Sequence, residues 1–112
     1  MASPFQQHGR LLVCRPEGDL DEAAVSRIAE ALKAEGTQPK GVVLDMAGTS
    51  YISSQGVAAL LKFQTALAER KRSLALAAPP PLVKRILYQA GVASAIPVHT
   101  TVEEACGEKP AA

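Results

Sequence analysis

Short apolar runs alternate along the chain with segments of helical periodicity, and this alternation limits the fold more than any other feature. Four apolar runs have proline or glycine close by, which is typical of strands. They cover residues 11–14, 42–44, 74–77 and 96–98. Helical patterns are predicted for residues 21–34, 54–70, 82–90 and 101–106. Alternating strands and helices predict an α/β sheet with right-handed crossovers.

One more strand is predicted near the start of the chain. Residues 5–8 can pair antiparallel with the first apolar run across a turn at Gly9. We therefore expect a mixed, mostly parallel sheet of about four to five strands with about four helices. At 112 residues the chain has the length of one domain. We assign residues 1–107 to it and expect residues 108–112 to form a disordered tail.

The ends of the predicted helices carry capping signals. Asp21 stands where the N-cap of the first helix belongs, and Gly36 stands where that helix should stop. Gly91 followed by apolar Val92 indicates a Schellman-type end for the third helix. Thr100 or Thr101 can cap the short last helix.

The composition is that of a globular protein, with 47% hydrophobic and 21% charged residues. Cys14 and Cys106 lie far apart in sequence, and we expect both to be small buried hydrophobes. The sequence has no run of 18 apolar residues, so membrane insertion is not expected. We expect a cytoplasmic location, because the N-terminus lacks the segments of a signal peptide.

Nucleic-acid binding and catalysis are both disfavoured by the sequence. The net charge is +1, Trp is absent, and the basic cluster at residues 70–72 falls at a predicted helix end. A nucleophile elbow needs Gly two residues before Ser54, where Ile52 stands. His8 and His99 lie in no base or metal motif, and no phosphate loop is present. We therefore expect no enzyme activity, no cofactor and no metal.

Two polar segments run directly into predicted helices, at residues 17–21 and 49–56. Function in an open α/β sheet concentrates at such loops, beyond the carboxyl ends of the strands. Serines surround the start of the second helix, where unpaired N–H groups and the helix dipole favour a phosphate. Serine and Asp21 are also common N-caps that need no function, and the two roles are compatible.

The same segments resemble a known family. Three segments are similar to the STAS domain of anti-sigma factor antagonists. They are Gly18-Asp19-Leu20-Asp21, Val42 to Gly48 and Tyr51-Ile52-Ser53-Ser54-Gln55-Gly56-Val57. Residues 80–87 and 90–92 are similar to the third helix of that domain and its glycine stop. The resemblance covers roughly residues 5–106.

The resemblance implies a binding switch. In the family, the unphosphorylated domain binds an anti-sigma factor that is also a serine protein kinase, and phosphorylation of one serine separates the two. A phosphatase resets the switch. That serine corresponds to Ser54, and the implied partner surface comprises Asp19, Asp21, Ser53, Ser54, Gln55 and Gly56. We expect Gly56 to allow a partner's backbone to approach closely.

Two features leave alternatives open. Many members carry Asp before the phosphorylated serine, whereas Ser53 stands here and is a rival acceptor. STAS domains also serve as constitutive subunits of stressosome-like scaffolds or of transporter assemblies. In that case Ser54 is only a helix cap.

Overall fold

The computed structural model describes residues 4–36 and 39–107, so the predicted tail at residues 108–112 lies outside the described residues. The described residues form seven strands and four α-helices. The strands are β1 Phe5–His8, β2 Leu11–Cys14, β3 Gly18–Leu20, β4 Gly41–Asp45, β5 Thr49–Ile52, β6 Ser73–Ala77 and β7 Val98–His99. The helices are α1 Glu22–Ala34, α2 Ser54–Glu69, α3 Pro81–Gln89 and α4 Val102–Ala105.

Five of these strands form the main sheet, in the order β1-β2-β4-β6-β7. β1 runs antiparallel to β2 across Gly9, whose φ of 62° suits a residue without a side chain. The other neighbours pair in parallel. The predicted mixed, mostly parallel sheet with four helices is therefore confirmed.

The core lies on one face of this sheet, where paired strand residues place their side chains together. Leu12, Val42 and Leu74 are partners across three strands, and all three are buried. The helices add buried side chains to the same cluster: Val25, Ile28, Leu32, Leu60, Phe63, Leu67, Val83 and Leu87. Burial of this apolar surface is the main favourable contribution to folding.

The two cysteines have different environments. Cys14 is buried in the core, and desolvation raises the pKa of its thiol. Cys106 is only half-buried, so the expectation that both cysteines are buried is wrong for this one. The reason is its place at the end of α4, a helix with no buried residue.

The helix ends agree with most of the predicted signals. Asp21 caps α1, Thr101 caps α4, and Gly91 follows α3 with a left-handed φ of 77°. α2 ends differently, because Lys71 adopts the left-handed conformation with a φ of 59°. The N–H groups of Lys71 and Arg72 donate to the carbonyls at 68 and 67, at 2.9 and 2.8 Å. This is a Schellman motif built without glycine.

A second, two-stranded sheet was not predicted. β3 and β5 pair in parallel, with Leu20 opposite Ile52, where the sequence indicates only loops. Each strand has only three or four residues, and no more than two of them are buried, so neither shows a recognisable apolar period. This small sheet leads directly into α1 and α2.

Candidate partner-binding site

The candidate site is built where the two short strands end and two helices begin. Leu20 and Ile52 are paired at the ends of β3 and β5. The next residues, Asp21 and Ser53, are the N-caps of α1 and α2, which pack against each other. Two helix N-termini therefore lie side by side at one edge of the molecule, which we call the carboxyl edge.

Asp21 has the capping role expected from the sequence. Its Oδ1 accepts a hydrogen bond of 2.8 Å from the backbone N–H of Ala24. The residue is nonetheless exposed, so its charge faces solvent. A carboxylate here is stabilised by the start of the helix dipole while it remains accessible to a partner.

Ser53 caps α2 and is held at two points. Its Oγ accepts a hydrogen bond of 3.0 Å from the N–H of Gly56, and its own N–H donates to the Leu20 carbonyl at 3.2 Å. The interpretation of Ser54 as the helix cap is therefore wrong. α2 begins one residue earlier than that interpretation requires, so Ser53 occupies the cap position.

Ser54 is the first residue of α2 and is exposed. Among the described residues, none forms a hydrogen bond with its hydroxyl. Gln55 follows it and is also exposed. Backbone N–H groups in the first helical turn have no partner within the helix, so this position offers donors and a positive dipole end beside a spare hydroxyl.

Gly56 supports the site from beneath. It is buried, and a Cβ there would overlap the Leu20 carbonyl oxygen and lie 3.3 Å from the Cα of Asp21. The close backbone approach that we expected from a partner is thus made within the chain itself. This packing brings the start of α2 against the end of β3.

Asp19 and Tyr51 are paired across β3 and β5 and are both exposed. Tyr51 exposes 48% of its surface, so its ring is accessible to a partner. Tyr51 is not among the residues predicted from the sequence for the partner surface. No strand is recognisable here from the sequence, so only the pairing of β5 with β3 shows that Tyr51 lies on the side of the strand opposite to buried Ile52.

The carboxyl edge is acidic. Asp19, Asp21 and Glu22 are exposed there, and Glu17 lies against Gly48 nearby. Arg15 pairs with Glu17 at 3.2 Å, so one of these acidic side chains has a cationic partner. An added negative charge at Ser54 would therefore join a surface that already carries several carboxylates.

Within residues 4–36 and 39–107, no three His, Cys, Asp or Glu side chains are grouped so that they could hold a metal ion. None of the helices formed by these residues is both long and apolar enough to cross a membrane. The arrangement at the carboxyl edge offers a surface for recognition and a hydroxyl group for modification.

Comparisons with known proteins agree with this architecture. The family model of the STAS domain matches residues 3–105. No curated protein sequence matches the chain. Among solved structures, a sulfate transporter family protein from Wolinella succinogenes is 20% identical, with a TM-score of 0.78 over 89% of this chain and 84% of its own.

Two anti-sigma factor antagonists are also similar in structure. SpoIIAA in its unphosphorylated form is 23% identical, with a TM-score of 0.70 over 91% of this chain and 90% of its own. An antagonist from Mycobacterium paratuberculosis is 18% identical, with a TM-score of 0.68 over 92% and 88% of the two chains. At these identities the likeness shows the fold.

Proposed function

Because the chain belongs to the STAS domain family, we propose that it is an anti-sigma factor antagonist, a protein-binding switch controlled by phosphorylation. The unphosphorylated domain binds an anti-sigma factor that is also a serine protein kinase. Phosphorylation of Ser54 releases that partner, and a phosphatase restores the binding form. The proposed role is cytoplasmic and is binding rather than catalysis. The structural likeness to two anti-sigma factor antagonists supports this class of partner.

The division of roles between Ser53 and Ser54 is the observation that carries the proposal. Ser53 supplies the helix cap, so Ser54 is not needed for that purpose. The exposed Ser54 hydroxyl can be reached by a kinase, and its modification would not disturb the helix cap. Ser53 is the poorer acceptor, because it is half-buried and its Oγ already accepts a hydrogen bond from Gly56.

A phosphate at Ser54 is compatible with the fold. The group would lie at the start of α2, where free N–H groups and the helix dipole favour negative charge. The effect of phosphorylation should therefore appear at the interface and leave the domain folded. An added charge of about −2 at Ser54 would be costly to bury against a partner that has no matching cation opposite this residue.

The expected loss of binding free energy on phosphorylation is large enough for a switch. Burying an unmatched charge at an interface costs several kcal/mol. A loss of about 3 kcal/mol already weakens binding by more than about a hundredfold. We assign the contact surface to Asp19, Asp21, Ser53, Ser54 and Gln55, with Tyr51 as an aromatic contact and Gly56 as support beneath it.

The proposal is tested by capture of the kinase and mapping of the phosphate. The chain is used to capture partners from its source cells, and a captured histidine-kinase-like ATPase is then incubated with the chain and ATP. We expect phosphate on Ser54, and its loss in Ser54→Ala. Ser50→Ala is the matched control, because Ser50 is an exposed serine on neighbouring β5. Phosphate on Ser50, or no kinase among the partners, contradicts the proposal.

A second candidate function is a constitutive subunit of a larger assembly, such as a stressosome-like scaffold or a transporter. The structural likeness to a sulfate transporter family protein favours it. In that case the same capture experiment recovers transporter or scaffold subunits, and the chain isolated from its source cells carries no phosphate on Ser54, whether bound or free.

A further inference from the structure

A row of cations lies at the edge of the main sheet opposite Ser54, which we call the amino edge. One cation directly precedes each of three neighbouring strands: Arg10 before β2, Lys40 before β4 and Arg72 before β6. The first residues of these strands are paired in register. The N–H of Lys40 donates to the Arg10 carbonyl at 2.7 Å, and the N–H of Ser73 donates to the Lys40 carbonyl at 3.1 Å. Neighbouring strands are about 4.8 Å apart, so the three residues are placed side by side.

The C-terminal ends of α1 and α2 bring further cations to this edge. Lys33 lies in the last turn of α1, and Arg70 and Lys71 follow the last residue of α2. With the row, six of the twelve lysines and arginines of the chain lie here. Acidic side chains are fewer among the residues that the structure describes here: Glu35 and Glu69 lie at the same helix ends, and Glu30 pairs with Lys33 at 3.3 Å.

Helix dipoles explain only part of this cluster. Lys33 and Arg70 lie near helix C-termini, where a cation is stabilising whatever its function. Arg10 and Lys40 precede strands, and sheets have only small net dipoles. Both are exposed, so their charges are not there to neutralise a buried group.

The shape of the amino edge combines charge with apolar surface. Arg10 and Lys40 line an open hollow of about 590 Å³ together with Leu11 and Ala105. Between α1 and α2 lies a groove of about 170 Å³, with Arg70 and Arg72 among its lining residues. Its apolar lining is Ala29, Leu32, Phe63, Ala66 and Leu67. A surface with cations next to apolar depressions suits an anionic amphiphile better than it suits a purely polar polyanion.

We propose that the amino edge is a peripheral docking surface for membranes rich in anionic phospholipids. The lysines and arginines contact lipid phosphates, and no segment inserts into the bilayer. Each cation near an anionic leaflet strengthens binding roughly fivefold. Single-stranded nucleic acid is the less suitable ligand, because its bases stack on aromatic side chains and the exposed tyrosines among the described residues, Tyr51 and Tyr88, lie elsewhere.

Docking through this edge has a consequence for the orientation of the domain. The amino and carboxyl edges are at opposite ends of the parallel strands, so a membrane at one leaves the other facing away from it. Lipid binding and partner binding through Ser54 are therefore compatible. The proposal is independent of the assigned switch.

The test is co-sedimentation of the chain with lipid vesicles. One set contains phosphatidylcholine alone, and the other contains about one third phosphatidylglycerol. We expect binding to the anionic vesicles only, weakened when salt rises from about 50 mM to about 300 mM because screening shortens the reach of the charges. Arg10→Glu with Lys40→Glu should reduce binding about tenfold or more.

Lys62→Glu with Arg85→Glu is the matched control, because it makes the same change in net charge at exposed residues of α2 and α3. This control and Ser54→Asp should bind anionic vesicles nearly as well as the unmodified chain. Circular dichroism checks that each variant is folded. Three results would overturn the proposal. They are equal binding to both vesicle types, a loss of binding in the control as large as in Arg10→Glu with Lys40→Glu, and tighter binding to a DNA duplex at the same salt.

Discussion

The backbone N–H of Ser53 donates a hydrogen bond of 3.2 Å to the carbonyl oxygen of Leu20. This bond joins the ends of β3 and β5 at the point where α1 and α2 begin. Gly56 packs against the same carbonyl group. The position of the Ser54 hydroxyl therefore depends on main-chain contacts of its neighbours, and changes in those contacts should be separable from changes at Ser54 itself.

Gly56→Ala should destabilise the domain by about 1–3 kcal/mol, because the new Cβ overlaps the Leu20 backbone and rigid main chain must shift. Helix propensity favours alanine by up to about 1 kcal/mol, which the overlap outweighs. Urea unfolding measures the difference. Gly36→Ala is the control, since a Cβ there meets no described atom within 4 Å, and its stability should be unchanged or slightly higher. Equal stability of both variants would show that Gly56 has no packing role.

Ser53→Ala and Ser54→Ala should differ in stability although they are neighbours. Removal of the Ser53 hydroxyl leaves the Gly56 N–H without its cap and should cost about 1 kcal/mol. Ser54→Ala removes no hydrogen bond to a described residue, so its free energy of unfolding should stay within about 0.5 kcal/mol. Thermal unfolding of the pair at one pH measures both. The opposite order of stability would mean that Ser54 is the cap.

Asp21→Asn should separate the charge of Asp21 from its capping role. Asparagine caps helices about as well as aspartate, so stability should change by less than about 0.5 kcal/mol. Loss of the exposed charge should weaken binding of the anti-sigma partner about fivefold or more. Calorimetric titration measures the affinity. Glu69→Gln, at the opposite end of α2, is the control and should bind normally. Unchanged affinity in Asp21→Asn would leave this carboxylate with a structural role only.

Lys71→Gly should stabilise the domain by about 0.5–1 kcal/mol. Lys71 has a φ of 59°, a conformation that costs free energy for any residue with a Cβ and little for glycine. The gain is reduced by the greater freedom of glycine in the unfolded chain. Lys71→Ala removes the same charge but keeps the Cβ, so it should show no gain in urea unfolding. A gain in both variants would point to charge as the cause.

The main sheet and its helices could be predicted from the sequence because their apolar patterns are bounded by clear stop signals such as Gly91. The pairing of β3 with β5 could not be predicted, because strands of three or four residues are too short to show the alternation of buried and exposed residues. They also pair only through contacts between residues that are distant in sequence. The residues of the candidate site were predicted as a group. Their individual roles were not predicted, because a shift of one residue in the start of the helix decides whether Ser53 or Ser54 is the cap.

Ser54→Ala and Ser54→Asp should have opposite effects on partner binding while both keep the fold. The alanine variant should bind the anti-sigma factor and resist phosphorylation, so that the complex persists in the presence of ATP. The aspartate variant should be as stable as the unmodified chain or more so, because an acidic group in the first helical turn is favoured by up to about 1 kcal/mol.

The aspartate variant should nevertheless bind the anti-sigma factor poorly, since its new charge would be buried at the interface without a matching cation opposite residue 54. One carboxylate carries about half the charge of a phosphate, so the phosphorylated chain should bind more weakly still. Ser26→Asp places the same charge on an exposed residue within α1 and should bind normally. Calorimetric titration of the unmodified chain, the phosphorylated chain, Ser54→Ala, Ser54→Asp and Ser26→Asp gives the order of affinities. If Ser54→Asp binds as tightly as Ser26→Asp, charge at Ser54 does not control the interface and the domain is a constitutive binding module.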